Sequence, residues 1–175
     1  MPKASSLPVK WQILLLSLIS LLIVVADQLS KMWVRSNLEV GQSLPEAGWL
    51  RLTHVTNTGS AFGLFQGQSF ILTLVALAGI VILLVYALVN YRQLPFKGNT
   101  LGKVTVALIL GGVIGNLIDR IRLGYVTDFI DVGIWPAFNV ADSSMVVGYI
   151  LFAYLLLSFT LRRKPRSTGD GGEPY

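Results

Sequence analysis

Two aspartates, Asp128 and Asp142, sit between two strongly apolar stretches in the run VTDFIDVGIWPAFNVADSS, which also carries Asp131. A carboxylate beside that much apolar surface is costly unless it is paired, hydrogen-bonded or protonated. Two carboxylates within hydrogen-bond reach resist ionising together: one pKa rises, the other falls, and the pair shares a proton. The charged member can then activate a water. The protonated member can polarise a carbonyl and later protonate a leaving amine. That is amide hydrolysis without a metal or a nucleophilic side chain. If Asp142 lies at a helix N-terminus, the macrodipole favours its anion, which makes Asp128 the protonated partner at rest; the two titrate as a unit. Asn139, three residues ahead of Asp142, could orient it. A plainer role is open too: Asp142, Ser143 or Ser144 could simply cap the helix that follows.

Other catalytic layouts fit the sequence less well. There is no cysteine, so disulfides, thiolate metal sites and a cysteine nucleophile are excluded. A single histidine, His54, excludes a multi-histidine metal site and an HExxH helix. No GxSxG elbow accompanies His54. A Ser–Lys dyad through Lys31 has no supporting spacing. Three carboxylates could hold Mg²⁺, but no phosphate-binding glycine run is present. The expectation is therefore no metal and no cofactor. No nucleic-acid-binding motif is found either.

More polar residues fall beside apolar segments. Asp27 and Lys31 are four apart and share a helix face, as an interfacial ion pair or as a brace or contact at the outer surface. In LGGVIGNLIDRIR, Gly111 and Gly115 form a small-xxx-small spacing that admits a second helix. Asn116, Asp119 and Arg120 follow on one face, either as a surface charge cluster or as a polar patch facing the bundle interior. TNTGSAF contributes Asn57 and Gly59, residues that turns use routinely. Asp131 is open as a surface charge, a structural acceptor or a modulator of Asp128.

The elements that must position these groups follow from composition. The 175-residue chain is 53% hydrophobic and 13% charged, with mean hydropathy +0.65 and net charge +5. Such a chain reads as an integral membrane protein. Four segments are near the ~20 residues that cross a bilayer: about 11–34, 70–89, 100–118 and 144–161. The first is preceded by basic residues like a signal peptide, but VVADQLSK is a poor cleavage site and three more spans follow.

Lys3, Lys10, Arg92, Lys97, Lys103, Arg162, Arg163, Lys164 and Arg166 fall on one side of a four-span arrangement. Asp27, Glu39, Glu46, Asp119, Asp128, Asp131 and Asp142 fall on the other. The positive-inside rule then places both termini in the cytoplasm and the carboxylates outside. Outer loops span about 35–69 and 119–143. Leu50 to Val55 alternate apolar and polar, which predicts a short strand and a small extracytoplasmic β element. Residues 1–161 form one membrane domain, an all-α four-helix bundle apart from that β element. The tail 162–175 is basic, rich in Gly and Pro, and expected to be disordered and cytoplasmic.

A carboxylate-bearing membrane protein could also be a small proton-coupled transporter or channel. That reading predicts acidic groups near mid-span, with broken helices or repeats. Here they cluster at one end of the spans and no repeat is visible. A non-catalytic assembly factor binding helices through the glycine face is a second alternative.

DQLSK (Asp27 to Lys31), NTGSAF (Asn57 to Phe62), GGVIGNLIDR (Gly111 to Arg120), VTDFID (Val126 to Asp131) and FNVADSS (Phe138 to Ser144) occur in one order and spacing. In this the chain resembles the bacterial lipoprotein signal peptidases, also called signal peptidase II. The resemblance covers about residues 10–161. It implies an aspartic endopeptidase of the bacterial cytoplasmic (inner) membrane, with a four-helix bundle and an extracytoplasmic β-cradle. Such enzymes cut prolipoproteins before a diacylglyceryl-modified cysteine, so lipid-modified signal peptides and membrane lipids are the implied partners of an expected monomer. By motif, Asp128 and Asp142 would be catalytic. Asn57, Asn116, Arg120 and Asn139 would line the site, with Gly59 beside them, and Asp27, Lys31 and Asp119 would support its geometry. The scissile bond would then lie at the outer membrane–water boundary.

Overall fold

The structure, a computed structural model, describes residues 9–59, 67–68, 71, 74–75, 78 and 100–163. Its elements are helix α1 (Val9–Asn37), strands β1 (Ser43–Leu44) and β2 (Arg51–Asn57), helix α2 (Thr100–Leu123), strand β3 (Val126–Asp131) and helix α3 (Val140–Arg163). All three helices are long and apolar enough to cross a membrane. Most of the expected span at 70–89 (all but residues 71, 74–75 and 78), residues Ser60 to Phe62 of the NTGSAF block and the tail from 164 onward lie outside the described residues.

The helices extend past the purely apolar segments because polar residues continue them. The span expected at 11–34 runs to Asn37. The one expected at 100–118 runs to Leu123 and so includes Asp119 and Arg120. The one expected at 144–161 starts at Val140. Gly124, at φ 79°, stops α2 by donating its N–H to the Arg120 carbonyl at 3.1 Å.

Helix α2 packs along both α1 and α3, which touch each other far less. Small residues make this possible. A Cβ on Gly111 would lie 2.9 Å from the Ile23 Cβ, and one on Gly112 would lie 2.4 Å from the Ala141 carbonyl oxygen. The Ser20 hydroxyl donates to the Ala107 carbonyl at 3.0 Å, and the Ser144 hydroxyl to the Leu108 carbonyl at 3.2 Å. Close backbones and interhelical hydrogen bonds are what hold helices together in lipid, where apolar burial gives little. Accordingly the large apolar side chains of α1 and α3 face outward, among them Leu14, Leu18, Leu22, Ile150, Leu156 and Leu157. The interior instead encloses Asp27, Lys31, Asn116, Asp119, Asp128 and Asn139.

The sheet is antiparallel with strand order β1-β2-β3. The expected strand at Leu50–Val55 is β2, shifted to Arg51–Asn57. Strand β3 corrects the expectation that Asp128 follows α2 on a loop. Val126, Thr127, Phe129 and Ile130 suit a pleated surface, and they pair with β2 from Asn57↔Val126 to Arg51↔Asp131. Phe129 packs with Val34 and Leu38 at the end of α1, and Leu52, Ile130 and, at the start of α3, Val140 pack against this cluster.

Candidate active site

The site forms where β3 crosses the helix ends. Gly124 turns the chain from α2 into β3, which brings Asp128 back over the helices. Asp142 arrives from the other side, in the first turn of α3. Neither Asp142, Ser143 nor Ser144 is the cap of that helix. Asn139 is: its Oδ1 accepts the Asp142 N–H at 2.8 Å, while Asp142 Oδ2 accepts the Asn139 N–H at 3.3 Å. This is the reciprocal geometry of a capping box.

Four asparagine donors hold the two carboxylates. Asn139 Nδ2 donates to Asp128 Oδ1 at 2.7 Å and also reaches Asn116 Oδ1 at 3.1 Å. Asn57 Nδ2 donates to Asp128 Oδ2 at 2.9 Å. Asn116 Nδ2 donates to Asp142 Oδ1 at 2.8 Å. The fourth is the Asn139 backbone N–H described above. Each carboxylate oxygen therefore has a protein donor, and both residues are joined through Asn116 and Asn139. Burial pushes the Asp128 carboxyl up to about 7, and the nearby charge of Asp142 acts in the same direction. The Asn57 and Asn139 amides and the Lys31 ammonium oppose the rise without cancelling it.

Beneath the pair lies a buried ionic layer. Lys31 Nζ meets Asp27 Oδ2 at 2.8 Å, Asp119 Oδ2 at 3.4 Å and Asn116 Oδ1 at 2.8 Å. Asp27 Oδ1 accepts the Ala141 N–H at 2.9 Å, one residue from Asp142. Asp119 Oδ2 accepts the Thr127 N–H at 3.0 Å, one residue from Asp128. Each supporting carboxylate thus holds the backbone next to one member of the pair. Arg120 lies at the rim, where its Nη2 donates to the Gly59 carbonyl at 3.3 Å, and the Gly59 N–H donates to Asn57 Oδ1 at 2.9 Å.

All ten expected site residues converge here. Asp131 does not. It pairs with Arg51 across the far end of the sheet, accepts from Thr53 Oγ1 at 3.1 Å and from the Gly133 N–H at 2.8 Å, and is held below the usual carboxylate range first by that amide. Three participants were missed from sequence. Gln28 Nε2 bridges Asp27, Asp119 and the Gly115 carbonyl. Arg35 Nη1 reaches Thr127 Oγ1 at 2.9 Å and Asp119 Oδ1 at 3.5 Å. The spacing Asp27, Lys31, Arg35 along one helix face was the available signal for Arg35; Gln28 and Thr127 stand next to Asp27 and Asp128 but carry no pattern of their own. Among the described residues no three His, Asp or Glu side chains converge as a metal site would.

The family model described as Signal peptidase (SPase) II matches residues 19–158, which contain the whole constellation of Asp27, Lys31, Asn57, Asn116, Asp119, Asp128, Asn139 and Asp142. A lipoprotein signal peptidase of Dehalococcoides mccartyi is 47% identical over 137 residues, which is 77% of this chain and 85% of that protein. One from Moorella thermoacetica is 44% identical over 141 residues, covering 80% and 91%. A solved structure of a bacterial membrane enzyme superposes with TM-score 0.77 at 31% identity, covering 94% of this chain and 98% of the other. With the family model matched over residues 19–158 and lipoprotein signal peptidases 44–47% identical over most of its length, the chain belongs to the signal peptidase II family.

Proposed function

We propose that the chain is an aspartic endopeptidase that removes the signal peptide from diacylglyceryl-modified prolipoproteins, cutting before the lipidated cysteine, with Asp128 and Asp142 as its catalytic pair. The observation that carries this is the joint anchoring of two carboxylates by Asn139, with Asp128 raised to about 7. Around pH 7 the Asp128 carboxyl is about half protonated, and in that protonated form it is the proton donor of the pair. Asp142, in the first turn of α3, is the anion that the helix N-terminus favours. It takes a proton from water as the water oxygen attacks the scissile carbonyl carbon. Asp128 gives its proton to the carbonyl oxygen. The resulting diol collapses as Asp142 returns its proton to the leaving nitrogen and Asp128 recovers one from the diol.

Arg120 Nε is buried and, among the described residues, has no hydrogen-bond partner. It is a ready donor for a substrate carbonyl entering beside Asn57 and Gly59. The finer placement follows the sequence: one membrane domain over residues 1–161, four spans with both termini cytoplasmic, a cytoplasmic basic tail, and a monomer whose site faces the outer leaflet of the bacterial cytoplasmic membrane. Signal helix and lipidated cysteine would then both be held by the bilayer while the scissile bond meets water.

Purified wild type, Asp128→Asn and Asp142→Asn should be given a lipidated precursor and its unlipidated form in detergent, each variant with a fold check. Wild type is expected to cut the lipidated form alone, and both folded variants to lose nearly all turnover. A folded variant that keeps wild-type turnover refutes the paired-aspartate mechanism.

A further inference from the structure

The chain has four tryptophans, Trp11, Trp33, Trp49 and Trp135. All of them are substantially exposed. Trp11 and Trp33 lie near the two ends of α1. The stretch between them rises about 33 Å at ~1.5 Å per residue, close to the ~30 Å hydrocarbon core. Tryptophan favours the headgroup boundary, so Trp33 marks the level of one membrane surface on this helix.

The sheet lies at that level and runs across the helix ends. Val34 and Leu38, on either side of Arg35, pack on Phe129 of β3. At one end of β3, Thr127 is tied to Arg35 of α1 and to Asp119 of α2. At the other end, Ile130 packs on the same apolar cluster as Val140 of α3. Thr127 and Phe129 thus hold β3 on the ends of α1 and α2, at the level of Trp33, and the chain beyond Asp131 runs past the end of the sheet.

That continuation is apolar. The register Arg51↔Asp131 puts residues 49–50 and 132–135 past one end of the sheet. They include Trp49 at 78% exposed, Ile134 at 96%, and the half-exposed Leu50 and Trp135. The ion pair Arg51–Asp131 closes the sheet just behind them and neutralises its last carboxylate. Exposed large aromatic and aliphatic groups gathered on a loop tip are rare on a surface that meets only water. From these positions we infer that the tip formed by Trp49, Leu50, Ile134 and Trp135 is a lipid-surface anchor, inserted at the headgroup boundary beside the bundle. It deepens the proposed function, and rests on its membrane placement, by fixing the sheet that carries Asp128 at the depth of the bilayer surface.

The test uses full-length single-Trp variants, the other three tryptophans changed to Phe, reconstituted in bilayers containing phosphatidylcholine with brominated acyl chains. The expected result is that bromine near the glycerol region quenches Trp49 and Trp135 about as strongly as Trp33, with aqueous acrylamide reaching them poorly. Full quenching by acrylamide with none from the bromolipid overturns the inference. So does protection from both quenchers, which would mean that a second copy or another protein covers the tip.

A second measurement compares wild type with Trp49→Ser/Ile134→Ser/Trp135→Ser. The expected result is a several-fold higher KM for a lipidated precursor in vesicles, with kcat unchanged in detergent. Equal losses of kcat in both media would instead place the tip's effect on the site itself and overturn the anchor. The quenching readout needs no catalysis, so it separates failure of the anchor from failure of the peptidase assignment.

Discussion

Asn139 and Asp142 cap one another: Asn139 Oδ1 accepts the Asp142 N–H at 2.8 Å, and Asp142 Oδ2 accepts the Asn139 N–H at 3.3 Å. The free arm of the same asparagine amide donates to Asp128 at 2.7 Å. One side chain therefore starts helix α3, orients one carboxylate and tethers the other.

Replacing Asn139 should separate these tasks. Asn139→Ala loses the cap, worth about 1 kcal/mol, together with the tether to Asp128. Asn139→Ser keeps a capping oxygen but has no amide to reach Asp128. Turnover is expected to fall on the order of 100-fold in both, as misplacement of a reacting group does. The serine variant should recover most of the lost thermal stability. Steady-state kinetics beside thermal unfolding in detergent distinguishes the two effects, and wild-type turnover in either variant would contradict the tethering role.

The elevated Asp128 carboxyl sets a pH dependence. As the proton donor of the pair, Asp128 should give activity an alkaline limb near its pKa of about 7. Asn57 stabilises the charged form, so Asn57→Ala should move that limb to higher pH. Stability responds with a defined sign. The folded-state value lies above the ordinary 3.8, so the folded protein holds the proton more tightly than the unfolded chain. The Asp128 contribution is complete below the ordinary value and is lost as pH rises to about 7. Asp128→Asn should flatten that part of the stability–pH curve. An unchanged slope in chemical denaturation would show that Asp128 is not the group responsible.

Three of the four expected spans were legible because apolar runs near bilayer length have few other uses, and the convergence of the ten expected residues because each sits in a motif block. What failed to show was local geometry. Strand β3 was hidden because its six residues, VTDFID, follow a helix closely and are too few to display a period against two acidic residues. The cap of α3 was misplaced because Asp, Asn and Ser all suit that role, and only the backbone reveals that Val140 is already helical. Gly112 was passed over in favour of Gly111 and Gly115. Small-xxx-small spacing marks a single face, whereas α2 packs two helices and needs small residues on both faces.

Lys31 is fully buried with Asp27 and Asp119, so its loss leaves Asp27 without its cation and Asp119 with Arg35 alone. Lys31→Met should destabilise the protein by about 3–5 kcal/mol, the usual cost of breaking one side of a buried pair. Adding Asp27→Asn should then cost less than the two single changes summed, because the charges are coupled. Activity should stay low in the double variant, since Lys31 also holds Asn116 Oδ1 at 2.8 Å and Asn116 holds Asp142. Denaturation midpoints for the four-member cycle test this. Strict additivity would mean that Lys31 and Asp27 act independently.

Gly112, which faces α3, and Gly115, which lies between α1 and α3, should differ in how they tolerate a methyl group. A Cβ on Gly112 would meet the Ala141 carbonyl oxygen at 2.4 Å and the Ser144 hydroxyl at 2.6 Å. The carbonyl belongs to the first turn of α3 and cannot move without shifting Asp142. A Cβ on Gly115 would meet Asp27 Oδ2 at 2.7 Å and the Ala141 Cβ at 3.2 Å, so the closest obstacle is a side chain. That carboxylate is nevertheless pinned by Lys31 and the Ala141 N–H. Gly112→Ala should therefore cost more than the ~1–3 kcal/mol typical of overpacking and abolish turnover by pushing α3 off α2. Gly115→Ala should fall within that range and lower activity only in part, through Asp27. Thermal unfolding and turnover of the two variants under one detergent condition decide the order. The reverse order would mean that the ionic layer around Asp27 is the stiffer of the two contacts.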